Sequence, residues 1–166
     1  MSRARASSTD PGYVVRAADL AQPADRVALV GLLDLYARDP MGGGVPLAAK
    51  VIRHLPDRLA AQPGARVWLA FAPDGEPAGV AVCFAGFSTF AARPLLNLHD
   101  LAVAPPHRGR GVGRRLLAAV EDDARAAGCC KITLEVRDDN ATAQSLYRAL
   151  GYGDAAAPHR FWSKRL

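Results

Sequence analysis

The chain has 166 residues, half of them hydrophobic and 22% charged, which favours one domain with an ordinary core. Its formal net charge is +5, but Arg3 and Arg5 lie in a polar leading segment and other cations cluster in a glycine-rich turn. That is not a nucleic-acid binder's profile, no apolar run approaches the roughly 18 residues of a membrane span, and the leading residues lack the apolar core of a secretory signal.

Residues 1 to about 12 are small and polar and are expected to be disordered. Tyr13 to Arg16 reads as a first strand. Ala24 to Arg38 carries Val27, Val30, Leu33 and Leu35/Tyr36 at near-helical spacing, and Asp39-Pro40-Met41-Gly42-Gly43-Gly44 then breaks the chain. A second helix is expected from Leu47 to about Ala61. From Val67 the period becomes two. Val67 to Ala72 and Ala78 to Phe87 read as strands joined by a hairpin turn at Pro73-Asp74-Gly75-Glu76, and Leu95 to Val103 as a third.

Val112, Leu116, Leu117, Val120, Ala124 and Ala127 form a helical stripe closed by Gly128. Cys130, Ile132, Leu134 and Val136 then alternate with Cys129, Lys131, Thr133 and Glu135, the pattern of a strand with one buried face. Asp139 or Asn140 caps a last helix whose inward stripe is Ala143, Leu146/Tyr147 and Leu150. Arg160 to Leu166 is read as a terminal strand. The order βααβββαβαβ is an α/β (α+β) arrangement, a mixed sheet flanked by helices, with one domain over 13–166. Cys83, Cys129 and Cys130 fit neither a disulfide framework nor a zinc pattern and are read as buried free thiols of a reducing cytoplasm.

The most informative stretch is Val103-Ala104-Pro105-Pro106-His107-Arg108-Gly109-Arg110-Gly111-Val112-Gly113, which joins an apolar strand to an amphipathic helix. Glycines let a backbone approach a ligand closely, and a helix N-terminus offers unpaired N–H groups and a partial positive charge. With Arg108 and Arg110 beside it, the turn has the makings of a pyrophosphate cradle. It is not G-x-x-x-x-G-K-[ST], because no lysine follows the last glycine. Nor is it G-x-G-x-x-G, because Gly109, Gly111 and Gly113 alternate and Arg114 stands where the third glycine belongs.

Read as Arg108, Gly111 and Gly113, the turn matches R-x-x-G-x-G and resembles the acetyl-coenzyme A signature of the GNAT superfamily of N-acetyltransferases. Asn140-Ala141-Thr142-Ala143-Gln144-Ser145-Leu146-Tyr147-Arg148-Ala149-Leu150-Gly151-Tyr152 is similar to the N-x-x-A-x-x-L-Y-x-x-L-G-[FY] segment that follows the fifth strand in those enzymes. The resemblance implies the GNAT fold, a twisted, mostly antiparallel sheet of six or seven strands with about four helices. It also implies acetyl-CoA as acetyl donor, direct transfer to an amine, and a homodimer joined through C-terminal strands, with Phe161 and Trp162 either in that seam or buried in the core.

Carried over to this chain, the resemblance assigns Arg108 and the backbone of His107, Gly109, Arg110, Gly111, Val112 and Gly113, with Arg114 beside them, to the pyrophosphate. The strand Leu98-His99-Asp100-Leu101-Ala102-Val103 would pair with the pantetheine arm through Leu101, Ala102 and Val103, and the N–H of Leu101 or a neighbour would polarise the acetyl carbonyl. Asn140 would hydrogen-bond the pantetheine arm or order water beside it, and Tyr147 would protonate the leaving thiolate. An alkyl ammonium must lose a proton before it attacks. His99 is the candidate acceptor, as in the similar strand of serotonin N-acetyltransferases, and Asp100 is the alternative or the partner that sets its tautomer. Period two puts Asn97, His99 and Leu101 on one face and Asp100 on the other unless a bulge intervenes.

The acceptor is read as a small-molecule amine. The run from Gly86 to Asp100 resembles diamine and polyamine acetyltransferases, but His99 replaces a glutamate of theirs. Asp34 and Asp39 are candidates for restoring negative charge near the substrate, or else belong to a solvated helix face. Two other readings remain: a non-catalytic acyl-CoA sensor or partner-binding module, and nucleic-acid binding through Arg108, Arg110, Arg114 and Arg115.

Overall fold

The computed structural model describes residues 12–153 and 162–164. These fall into two compact units that divide between Glu135 and Val136. In the first lie β1 (Val14–Ala17), α1 (Pro23–Arg38), α2 (Ala49–Ala60), β2 (Ala65–Phe71), β3 (Pro77–Ser88), β4 (Arg93–Val103), a 3₁₀ turn (Pro105–His107), α3 (Val112–Ala126) and β5 (Ile132–Leu134). The second holds α4 (Ala141–Ala149).

Five strands form one sheet in the order β1-β2-β3-β4-β5. Every neighbouring pair is antiparallel except β4 and β5, which α3 connects and which run parallel. The mixed, mostly antiparallel sheet and its four helices agree with the expected class, and the strand count is five among the described residues rather than six or seven. The expected terminal strand over 160–166 lies largely outside the described residues; Trp162 to Lys164, which are described, form no strand. The leading segment expected to be disordered also lies outside them, apart from Gly12. β5 is three residues long, and all three are half-buried, so the expected alternation over Cys130 to Val136 does not produce one buried and one open face. Of the three free cysteines only Cys83 is buried; Cys129 and Cys130 are half-exposed.

Helix α1 turns a different face inward from the one its valines suggest. Ala28, Leu29, Leu32 and Leu33 are buried, whereas Val27 is 74% exposed and Leu35 is also exposed. The helix is apolar nearly all round, so spacing alone leaves its rotation open. A charged residue settles it. Asp25 is buried and accepts both guanidinium nitrogens of Arg16 on β1, at 2.6 and 2.5 Å, together with the N–H of Asp19 at 2.8 Å. A buried carboxylate needs such partners, so the helix face carrying Asp25 must meet β1. The Arg16 bonds hold its carboxyl below the usual range, with the Asp19 N–H adding to them against the cost of burial.

On that side of the sheet Val67, Leu69, Val80 and Val82 pack with α1 and with Leu59 of α2. α3 takes the other side, where Gly79 permits close approach. A Cβ at Gly79 would stand 2.9 Å from the Ala102 carbonyl oxygen, 3.0 Å from Leu116 and 3.1 Å from Val112. Val112, Leu116, Leu117, Val120 and Ala124 are the buried stripe of α3, as their spacing predicts. Gly79→Ala is therefore expected to destabilise the fold by roughly 1–3 kcal/mol, because the backbone carbonyl cannot swing aside. Urea denaturation at equilibrium measures this, and an unchanged midpoint would contradict the packing described.

Candidate active site

β4 carries the candidate residues Asn97, His99, Asp100 and Leu101, and it is irregular where they lie. Its register with β3 runs Asn97 opposite Phe84 and Leu98 opposite Cys83, then jumps to Asp100 opposite Val82. His99 is the extra residue of a β-bulge. The bulge reverses the alternation beyond it, so Asp100 joins Asn97 on the side of Val82 and Phe84, while Leu101 passes to the other side with Ala81. Strict period two, which put Leu101 with Asn97 and His99, fails for this reason. His99 is exposed, and its ring meets Phe84 edge-on at 5.5 Å, a contact that the sequence did not signal. Burial raises the Asp100 carboxyl above the ordinary value, and neighbouring His99 draws it partly back. Asn97 is half-buried and spends its amide on Thr133 Oγ1 of β5 at 3.1 Å.

The pairing of β4 is also asymmetric. β5 covers only Leu96 to Leu98, so Asp100 to Val103 pair with β3 alone among the described residues. The remaining edge leads directly into the glycine turn.

There the backbone supplies a concentrated set of donors. The His107 and Arg108 N–H groups are spent within the 3₁₀ turn, on Ala104 O at 2.9 Å and Pro105 O at 3.3 Å. The first helical bond at the other end is Arg115 N–H to Gly111 O, at 3.1 Å. Between them, the N–H groups from Gly109 to Arg114 make no hydrogen bond among the described residues. Gly109 and Gly111 have φ of 72° and 82°, in the left-handed region that favours glycine, and a Cβ on either would meet no protein atom. Unpaired N–H groups in such a nest, at a helix N-terminus, form an anion site. Arg110 and Arg114 are exposed beside it and make no ion pair among the described residues.

Several expected site residues are otherwise engaged. His107 is buried, and its Nδ1 lies 2.9 Å from the Tyr13 hydroxyl while Nε2 faces Glu76 at 3.6 Å. The ring thus braces the turn from inside and is not part of the donor row. Arg108 donates from Nε to Val103 O at 3.0 Å and from Nη2 to Asp39 at 2.9 Å. Asp34 accepts Arg38 Nε at 2.8 Å and the Leu47 N–H at 2.8 Å, and these bonds hold its carboxyl below the usual range. Neither acid is a simple solvated charge.

In the second unit, Asn140 caps α4 by accepting the Ala143 N–H at 3.1 Å. Tyr147 is buried on α4, and its ring lies 5.9 Å from that of Tyr152. Cys83 is no nucleophile: burial pushes its thiol up to about 12.

The chain's residues 29–152 match the model of the acetyltransferase (GNAT) family. It is 40% identical over 87 residues to streptothricin acetyltransferase of Streptomyces lavendulae, covering 52% of this chain and 44% of that protein. It is 30% identical over 138 residues to the uncharacterized N-acetyltransferase YhfO of Bacillus subtilis, covering 80% of this chain and 86% of the other. In fold it resembles the crystal structure of an aminoglycoside acetyltransferase from an uncultured soil metagenomic sample, with a TM-score of 0.74 and 16% identity over 92% of this chain and 97% of that one. The matches span about half the length, or less, of the first curated relatives.

Two outcomes follow from the geometry. Gly111→Ala forces a side chain into the left-handed region, at a cost of roughly 1–2 kcal/mol. It should lower the melting temperature and weaken coenzyme A binding in calorimetry, and unchanged values of both would remove the turn's special backbone from the site. Asp100→Asn removes a charge that burial disfavours. Because the folded-state carboxyl lies above its unfolded value, the variant should be more stable than the parent at neutral pH. The gain should shrink as pH falls through the raised value and vanish below the ordinary carboxylate range; thermal melts across pH measure it.

Proposed function

Because the chain belongs to the acetyltransferase (GNAT) family, we propose that it moves the acetyl group of acetyl-CoA to a primary amine of a small molecule by direct transfer. The observation that carries this reading is the run of unpaired backbone N–H groups from Gly109 to Arg114, which fits a pyrophosphate in number, direction of charge and backbone conformation. Arg110 and Arg114 add positive charge beside it.

In this reading Leu101, Ala102 and Val103 offer their open strand edge to the pantetheine arm, and the Leu101 N–H polarises the acetyl carbonyl. His99 takes the proton that the ammonium must lose, through water, with Asp100 the alternative acceptor. The freed nitrogen bonds to the acetyl carbon and gives up its second proton to solvent, the carbon–sulfur bond breaks, and Tyr147 gives the departing sulfur a proton that it regains from solvent. Asn140 steadies the arm or a water beside it. These roles for Asn140 and Tyr147 rest on the resemblance of their segment to the family's motif. No covalent acetyl-enzyme is invoked.

The small-molecule acceptor is supported by the likeness to streptothricin acetyltransferase, whose name states such a substrate. Residues 13–166 are taken as one catalytic domain, since the family match crosses from the first compact unit into the second. A cytoplasmic setting accords with the three free cysteines, and a homodimer is the assembly the resemblance implies.

An acetyl-transfer screen over chemically diverse amines, read by thiol release, tests the reading. Turnover on a small primary amine supports it; coenzyme A binding without turnover on any amine would favour an acyl-CoA sensor instead. Tyr147→Phe should lower kcat by about 10²- to 10⁴-fold while leaving coenzyme A affinity nearly unchanged. Unaltered turnover would take Tyr147 out of the mechanism.

A further inference from the structure

Asp39 ends α1, and every polar group it has is in use. Its N–H donates to Tyr36 O at 3.0 Å, and its carbonyl accepts the N–H groups of Gly42 at 2.8 Å and Gly44 at 3.1 Å. One carboxylate oxygen accepts the Met41 N–H at 2.9 Å, and the other accepts Arg108 Nη2 at 2.9 Å. At the far end of the same loop, Asp34 holds the Leu47 N–H. The segment between α1 and α2 is thus held at both ends by carboxylates, that of Asp34 in α1 and that of Asp39 just after it. Through Arg108 it is joined to a position 69 residues away in the chain.

Arg108 stands at the start of the glycine turn, and its Nε is bonded to the last carbonyl of β4. One guanidinium therefore links the end of β4, the end of α1 and the turn that precedes α3. A guanidinium has five N–H donors, and the bonds to Val103 and Asp39 leave three of them in a plane that Asp39 has fixed. The pair is part-exposed, with Arg108 at 53% and Asp39 at 20%, so it contributes little to stability. Its effect is on position.

We propose that Asp39 is a positioning residue: by holding Arg108 it ties the 40–47 loop to the phosphate turn, so that donor binding at the turn and ordering of this loop are one coupled event. α1 covers the sheet face on which Asn97 and Asp100 lie, and the loop continues from its end, so the coupling carries donor occupancy to the acceptor side. The proposal rests on the acetyl-CoA reading of the turn.

Asp39→Asn isolates the ion pair, because the amide oxygen still accepts from Met41 while the charge is lost. In hydrogen exchange without ligand, the Gly42 and Gly44 amides of the variant should exchange faster than in the parent. Adding coenzyme A should slow exchange across 40–47 in the parent and not in the variant. Asp39→Asn should also raise KM for the amine roughly tenfold, more than it lowers kcat. Asp39→Glu, which keeps a carboxylate for Arg108, should recover part of both effects and serves if the first variant does not fold. Combining Asp39→Asn with Arg108→Gln should do no more than Arg108→Gln alone. Additive effects, or full loop protection by coenzyme A in Asp39→Asn, would overturn the coupling while leaving the acetyltransferase reading intact. A parent protein that binds no coenzyme A by calorimetry would overturn that reading, and the coupling with it.

Discussion

The organisation of this protein depends on how β4 satisfies its backbone. A strand inside a sheet normally pairs on both sides, and β4 does so only from Leu96 to Leu98. Beyond that point, among the described residues, it has β3 on one side and no strand on the other, and the bulge at His99 redirects its side chains at the same place. An open edge with a twist at its root is a poor structural solution for a core strand. It is a good one for presenting main-chain groups to an extended ligand. The glycine turn, the 3₁₀ turn and α3 follow from where that edge leads.

Carboxylates do the complementary work of fixing the pieces around it. Asp25 sets the rotation of α1 against β1, Asp34 holds the far end of the next loop, and Asp39 holds its near end and reaches Arg108. All three lie on one helix or just after it. Each takes at least one backbone N–H, and each is held below the usual carboxylate range by its partners. In a chain with a net positive charge, acids placed this way have arginines within reach, and Arg16, Arg38 and Arg108 are the ones they engage.

The parts of the fold legible in the sequence are those where local chemistry and tertiary contact agree. The α3 stripe, the Asn140 cap and the glycine turn each declare themselves in one short local stretch, and the structure has all three. The parts that were not legible depend on partners far away in the chain. α1 is too evenly apolar for its buried face to be read without knowing that Asp25 meets Arg16. The bulge at His99 leaves no residue-type signature, because histidine in a strand is unremarkable and the register jump is set by β3. Asp34 and Asp39 read as surface acids until their loop is seen to close on them. His107 reads as a member of the donor row until its N–H is seen to close the 3₁₀ turn on Ala104 O and its ring to meet Tyr13, 94 residues earlier in the chain.

The donor row between Gly109 and Arg114 has a consequence for how this protein can change over time. Its N–H groups belong to the main chain, so they are specified by conformation rather than by the side chains attached to them. Exchanges at Arg110, Val112 or Arg114 for any residue but proline alter charge or packing and leave every one of those N–H groups in place. The face around Asn97, His99 and Asp100, by contrast, is built from side chains, and each exchange there alters what an acceptor would meet. On the proposed reading, the part that holds the acetyl donor is thereby buffered against drift while the part that meets the acceptor is open to it, so a lineage of such proteins could turn over its acceptors without rebuilding its donor site.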